Sequence, residues 1–172
     1  DGDISATSEL GVGTTFMFSI PFEVSNAASP MNSGDISSQV SEKEKDSVEG
    51  MRILVFEDNI MNQKLIDQRL KTWGCKRYIT ENAQFGLSIL ANHKIDLVLM
   101  DLKMPGMTGF EVAKLIRNSE DAVIKSIPII ALSADFSARD KEECSKNGFD
   151  DFILKPFSSD ELLQKLIANK KD

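Results

Sequence analysis

Five short apolar runs recur along the chain, each followed by a longer stretch of helical period. They are RILVF (52–56), KRYIT (76–80), DLVLM (96–100), PIIAL (128–132) and DFIL (151–154). Four of the five are almost continuously apolar, as strands buried on both faces are. Between the runs, apolar residues space near 3.6. Met61, Leu65, Ile66, Leu70 and Trp73 share one helical face, and so do Leu162, Leu163, Leu166 and Ile167. Thr108 with Glu111, and Ser158 with Glu161, have the spacing of capping boxes at helix starts. Gly74 and Gly148 stand where helices should stop. Strand–helix alternation with short links predicts an α/β, doubly wound parallel sheet of five strands, with helices on both faces, over residues 51–170.

The rest of the chain has a different pattern. TFMFSIPF alternates Phe16, Phe18, Ile20 and Phe22 at period two, which predicts a strand with one buried face. That strand belongs to a segment, residues 1–24, too short for a core of its own. Residues 25–50 are rich in Ser, Asn, Gly and charge and hold no aromatic residue, so composition predicts a flexible linker. The first residue is Asp1, and the chain reads as a piece of something longer.

Charge and residue counts narrow the chemistry. Asp and Glu number 27 against 20 Lys and Arg, giving a net charge of -7. An acidic balance disfavours non-specific contact with nucleic acid or an anionic membrane. No stretch approaches the roughly 18 apolar residues of a membrane helix, and a cytoplasmic location is expected, with no direct membrane contact by this segment. Cys75 and Cys144 lack metal-ligand spacing and read as reduced thiols. The single histidine, His93, falls in a helix-to-strand connection and reads as a surface loop residue.

In open parallel sheets, ligands bind beyond the carboxyl ends of the strands, where strand order reverses. The first run is followed by Glu57-Asp58, the third by Asp101, the fourth by Ser133-Ala134 and the fifth by Lys155-Pro156. With strand order 2-1-3-4-5, the first and third strands are neighbours. Glu57, Asp58 and Asp101 then converge, with Ser133 and Lys155 closing from the other side. Single acids at strand ends commonly cap helices, but a common edge for all five residues points to chemistry. Three carboxylates together repel, and a hard divalent cation with a preference for oxygen, such as Mg²⁺, removes the conflict. A carboxylate beside a metal, a lysine and a hydroxyl can act as a nucleophile toward phosphorus. Asp101 is the expected phosphoryl acceptor.

These residues resemble the receiver domain of two-component response regulators, over about residues 51–170. The resemblance rests on the acidic pair Glu57-Asp58, MDLKMPGMTG around Asp101, LSAD with Ser133 and LKPF with Lys155. It implies the flavodoxin-like fold and phosphorylation of Asp101. It further implies Mg²⁺ bound by Asp58, Asp101 and the Lys103 backbone carbonyl, with Glu57 acting through water. Ser133 would bond the phosphoryl group and Lys155 would pair with it. The family's aromatic switch position falls on Phe152, which lacks the hydroxyl of a Tyr and would work by packing alone. GVGTTFMFSIPF resembles the last glycine box and closing strand of the histidine kinase ATP-binding domain, so residues 1–24 read as its C-terminal remnant. The order kinase end, linker, receiver is that of a hybrid sensor histidine kinase, and DNIMNQ after the acidic pair is similar to that subgroup. No phosphoacceptor histidine segment and no complete nucleotide site are present, so this piece should not phosphorylate itself from ATP.

The implied partners are a histidine kinase phosphodonor domain and a histidine phosphotransfer protein, not nucleic acid. The alternative is a phosphorylation-gated interaction module that regulates or drains its parent kinase. A phosphoester hydrolase is disfavoured, because Lys103 rather than a second acid stands two residues past Asp101. Four further expectations follow. The Lys155–Pro156 bond is cis, turning the lysine back into the site. Partners dock over Ile60, Met61 and Pro156-Phe157. Lys103 and Asp135, two residues past Asp101 and Ser133, pair across the pocket mouth. That pairing slows loss of phosphate, as a leaky lid worth about 0–1 kcal/mol.

Overall fold

The structure is a computed structural model that describes residues 2–11, 13–21, 44, 46–134 and 138–171, with side chains left out at 138–141. The chain divides into two compact units, Asp1–Ile36 and Ser37–Asp172.

The first unit holds an antiparallel hairpin, β1 (Asp3–Glu9) and β2 (Gly13–Ser19). Ile4 faces Phe18 and Ala6 faces Phe16 across the ladder, so one side of the ribbon is apolar and the other polar. The strand expected from the Phe alternation is present, but the burial expected of it is not. Ile4, Phe16, Phe18 and Ile20 are all more than half exposed. A two-stranded ribbon has no second layer to cover its apolar side. Phe22 lies outside the described residues.

The second unit carries β3 (Arg52–Phe56), β4 (Lys76–Thr80), β5 (Leu97–Asp101), β6 (Ile129–Ser133) and β7 (Asp151–Leu154) in one parallel sheet of order β4-β3-β5-β6-β7. Its helices are α1 (Ile60–Thr72), α2 (Ala83–Asn92), α3 (Gly109–Arg117), α4 (Ala122–Lys125), α5 (Ala138–Lys146) and α6 (Ser159–Ala168). Alternate residues of each central strand feed opposite cores. Ile53, Val55, Leu97, Leu99, Ile130 and Leu132 pack with α1 and α6. Leu54, Phe56, Val98, Met100, Ile129 and Ala131 pack with α2, α3 and α5. Continuous apolar runs were required because both faces are covered. The edge strands β4 and β7 are only half-buried, so KRYIT tolerates Lys76 and Arg77, and DFIL, expected to be covered on both faces, ends on an exposed Leu154.

Local signals match the helix ends. Thr108 and Glu111 form the full reciprocal capping box, while Ser158 Oγ accepts from Glu161 N at 3.1 Å. Gly74 and Gly148 adopt φ of 69° and 78° at helix stops. The α1 stripe needs correction. Ile66, Leu70 and Trp73 are buried, but Met61 and Leu65 face solvent. At about 3.6 residues per turn, Met61 and Leu65 fall on one side of the helix and Ile66, Leu70 and Trp73 on another, and only the second group meets the core. The region between β5 and β6 holds two helices, because Asp121 caps a separate turn whose first N–H groups donate to its Oδ1. His93 is exposed and lies 5.0 Å from the Tyr78 ring, centroid to centroid. Both cysteines are buried and neither forms a disulfide, and burial pushes the Cys75 thiol up to about 11.

Most of residues 25–50 lie outside the described residues, but the end of that stretch departs from the linker expectation. Val48 is fully buried among Trp73, Leu166 and their neighbours. Cys75 Sγ donates to Val48 O at 3.4 Å, Gly50 N to Gly74 O at 3.0 Å, and Lys170 Nζ to Ser47 O at 2.7 Å. One valine and Met51 anchor an otherwise polar stretch, a signal that composition averages away. Val48→Ala is expected to cost about 1.5–3 kcal/mol. A urea titration should show the midpoint falling with an unchanged slope, and an unmoved midpoint would mean that the segment is not part of the fold.

Candidate functional site

All five parallel strands end at one edge, and the sequence fixes what stands there. The Phe56 ring lies so close to α2 that a Cβ on Gly86 would fall 2.0 Å from it. The chain then turns through Glu57, Asp58 and Asn59. Asn59 caps α1, its Oδ1 accepting from Met61 N and Asn62 N at 2.9 and 3.3 Å. β5 ends on Asp101 itself. The Pro105-Gly106 turn, with Gly106 at φ 83°, then leads into α3. Gly109 lies under the strand end, where a Cβ would meet Asp101 O at 2.3 Å.

Glu57, Asp58 and Asp101 each offer a carboxylate oxygen, and these oxygens lie within 4.8 Å of one another. Glu57 is fully buried, Asp101 is buried and Asp58 is exposed. Lys155, at the end of β7, reaches both buried acids, with Nζ 2.5 Å from Glu57 Oε2 and 2.6 Å from Asp101 Oδ2. Asp101 Oδ1 accepts from Lys103 N at 2.9 Å. Ser133 closes β6, buried, and its carbonyl accepts from Lys155 N at 2.7 Å. The Lys155–Pro156 peptide bond is cis. The five residues expected at the edge are thus gathered there. A cleft of about 630 Å³, lined by Asp58, Glu81, Asn82, Gln84, Pro105 and Met107, opens beside Asp58.

Other expected residues stand further out. The Lys103 side chain is exposed, and Asp135 lies outside the described residues, as does any contact between them. Phe152 is half-buried against the α2, α3 and α5 core, with Lys165 Nζ 5.3 Å from its ring centroid. Lys165 also pairs with Asp151 Oδ1 at 2.6 Å. Burial pushes the Asp151 carboxyl up, but Lys165, the Phe152 N–H and Asn169 together hold it below its ordinary value. Ile60 and Met61 are exposed beside the site, whereas Phe157 packs partly into the α1–α6 core.

Two polar residues of α1 belong to the site and were not singled out as site residues from the sequence. Asn62 Nδ2 donates to Glu57 Oε1 at 2.9 Å, and Gln63 Nε2 donates to Glu57 O at 2.7 Å. The Asn59 N–H also reaches Glu57 Oε1, at 3.3 Å. Polar residues three and four past a cap lie on the first turn, and that spacing was the available clue. Among the described residues, every buried side-chain nitrogen and oxygen has a hydrogen-bond partner.

The donor set fits a hard divalent cation. All three candidate ligands are oxygens, two of them buried, and the single ammonium among three carboxylates leaves two formal negative charges.

The response regulator receiver domain profile matches residues 53–167. Among curated proteins, Probable histidine kinase 4 of Oryza sativa subsp. japonica is 35% identical over 134 residues, covering 67% of this chain and 13% of that protein. Hybrid signal transduction histidine kinase K of Dictyostelium discoideum is 31% identical over 157 residues, 87% of this chain and 12% of the relative. The chain thus spans about an eighth of these relatives. Among solved structures, the receiver domain of sensor histidine kinase PA1611 from Pseudomonas aeruginosa PAO1, with a magnesium ion in its active-site cleft, is 32% identical. Its TM-score is 0.62, covering 69% of this chain and 98% of that one. The chemotaxis protein CheY4 of Vibrio cholerae is 26% identical with TM-score 0.66, covering 70% and 98%. The matched residues contain the whole acidic edge, its lysine and the strand order that assembles them, and this chain belongs to the response regulator receiver domain family.

Proposed function

We propose that the chain is the receiver of a phosphorelay, accepting a phosphoryl group from a phosphohistidine onto Asp101 and passing it to a histidine phosphotransfer partner. The observation that carries this reading is Asp101 itself. It ends a central strand, with one oxygen on the Lys103 N–H and the other on Lys155, inside a cluster with Glu57 and Asp58. In the forward step an Asp101 oxygen forms a bond to phosphorus as the P–N bond breaks, and the imidazole leaves with a proton. Glu57, Asp58, Asp101 and the Lys103 carbonyl would hold Mg²⁺, which when bound supplies positive charge to the transferring oxygens. Lys155, already beside Asp101, is placed to follow the charge onto the phosphoryl oxygens. Ser133, at the adjacent strand end, is placed to donate a hydrogen bond to them.

The hairpin is read as the end of a histidine kinase ATP-binding domain. The GVGTTF sequence supports this. The apolar side of the hairpin would then pack on the rest of that domain. The segment is read as cytoplasmic; among the described residues no helix is long and apolar enough to cross a membrane.

The test uses the full chain, Mg²⁺ and a labelled, phosphorylated histidine-bearing domain, with a second histidine domain added later. Label should appear on the chain and then on the second histidine. Label lost to water without reaching that histidine would favour a module that drains its kinase. A donor histidine must come within bonding distance of Asp101, so its carrier covers Ile60 and Met61, which are exposed at the rim. Ile60→Asp should slow transfer between proteins about tenfold or more, the cost of one buried apolar anchor, while uptake from acetyl phosphate changes little. Equal loss of both would count against the docking face.

A further inference from the structure

Among the described residues Glu57 is the most enclosed charged group, and its surroundings are more specific than ion pairing requires. Its Oε2 takes Lys155 at 2.5 Å, and its Oε1 takes Asn62 Nδ2 at 2.9 Å and the Asn59 N–H at 3.3 Å. The side chain is fully buried. Asn62 is the third residue of α1, where a capping box would carry an acid reaching back to the N–H of the cap residue. Here Glu57 receives that N–H, and the residue in the acid's place donates to Glu57 instead. The first turn of the helix thus acts as a clamp on one carboxylate oxygen.

The clamp has a consequence for Lys155. Its ammonium is shared between Glu57 Oε2 and Asp101 Oδ2, 2.5 and 2.6 Å away. With Oε1 occupied by Asn62, Glu57 can offer the lysine only one oxygen. With Asn62 truncated, Oε1 keeps a single long main-chain bond in a buried place. The carboxylate then gains by turning both oxygens toward the ammonium and drawing it from Asp101.

We propose that Asn62 is a positioning residue for phosphoryl acceptance, holding Glu57 so that Lys155 stays shared with Asp101 and Glu57 stays turned to the divalent-cation site. The inference rests on the phosphoacceptor reading above and names a residue that reading does not use. Groups that orient a metal-site carboxylate affect affinity by about 10–100-fold when removed.

The experiment measures the full chain, Asn62→Ala, Asn62→Leu and Val48→Ala. Mn²⁺ binding is followed by electron paramagnetic resonance, without any phosphodonor. Phosphorylation by acetyl phosphate is followed across a Mg²⁺ series; in it the bond from Asp101 to phosphorus forms and acetate leaves. Asn62→Ala and Asn62→Leu, neither of which can donate to Glu57, should bind Mn²⁺ about tenfold more weakly and phosphorylate more slowly even at saturating Mg²⁺. Val48→Ala opens the core beside Cys75, away from the acidic edge. It should lower thermal stability while leaving both readouts near parental. Parental metal binding and rates in the Asn62 variants would overturn the proposal, and so would equal changes in Val48→Ala at equal loss of stability. A parent chain that took up no phosphoryl group would fail the phosphoacceptor reading instead. The Mn²⁺ comparison would still decide whether Asn62 orients the site.

Discussion

Asp101→Asn is expected to reduce phosphoryl uptake at least about 10³-fold, the scale on which loss of a covalent nucleophile is felt. The substitution keeps the shape of the side chain and leaves an oxygen to accept from Lys103 N. It removes the charge facing Lys155 and the nucleophilic oxygen pair. The fold should survive, because Asp101 is one of three acids crowded within 4.8 Å and the amide relieves that repulsion. Thermal stability should therefore stay level or rise while uptake vanishes. Intact mass after acetyl phosphate and Mg²⁺ measures the first, and a melting curve the second. Phosphoryl mass appearing on the variant would mean that another group is the acceptor, and a collapsed melting curve would mean that the test had only broken the fold.

The second large effect concerns Lys155→Ala. Glu57 is fully buried, and the Lys155 side chain is 14% exposed, so the pair is largely withdrawn from water. Removing one partner of a buried pair strands the other charge, at about 3–5 kcal/mol. Water entering from the cleft beside Asp58 should soften this to about 2–4 kcal/mol. The loss should appear in metal-free buffer as a lower urea midpoint. A divalent cation present at about 100 times its dissociation constant contributes about 2.7 kcal/mol through binding to the folded state. Mg²⁺ should therefore restore much of the stability of the variant. It should not restore phosphorylation, which is expected to stay slow by about 10²-fold for want of the ammonium. Parental stability in metal-free buffer would mean that Lys155 does not hold Glu57.

The acidic edge was legible because it depends on few local facts. Three nearly unbroken apolar runs are strands covered on both sides, and with the shorter DFIL at one edge they make up most of the parallel sheet. Once the sheet is fixed, the residue after each run must stand at one edge, and the chemistry follows from Glu57, Asp58, Asp101, Ser133 and Lys155. Run ends were less certain, since Asp101 and Ser133 finish their strands rather than following them. What stayed hidden depended on where elements end in space. Met61 and Leu65 fall on a different side of α1 from Ile66, Leu70 and Trp73, and which of the two apolar groups meets the sheet depends on how the helix is rotated against it. Val48 is a single apolar residue in polar surroundings, and its burial depends on the groove left by Trp73 and Leu166. The place of Asn62 depends on the rotation of one helical turn relative to Glu57, which periodicity alone does not give.

The bare apolar side of the hairpin has a colloidal consequence. With a net charge of -7, copies of the chain repel one another in dilute salt. That repulsion has a range of about 30 Å at 0.01 M ionic strength and about 8 Å at 0.15 M. The attraction of Ile4, Phe16, Phe18 and Ile20 for a second apolar surface is not screened. The unpaired edges of a two-stranded ribbon add backbone groups able to extend the ladder. As salt rises, the balance passes from charge to this ribbon, so the solution behaviour of the chain is governed by its smallest unit rather than by the domain that carries its chemistry.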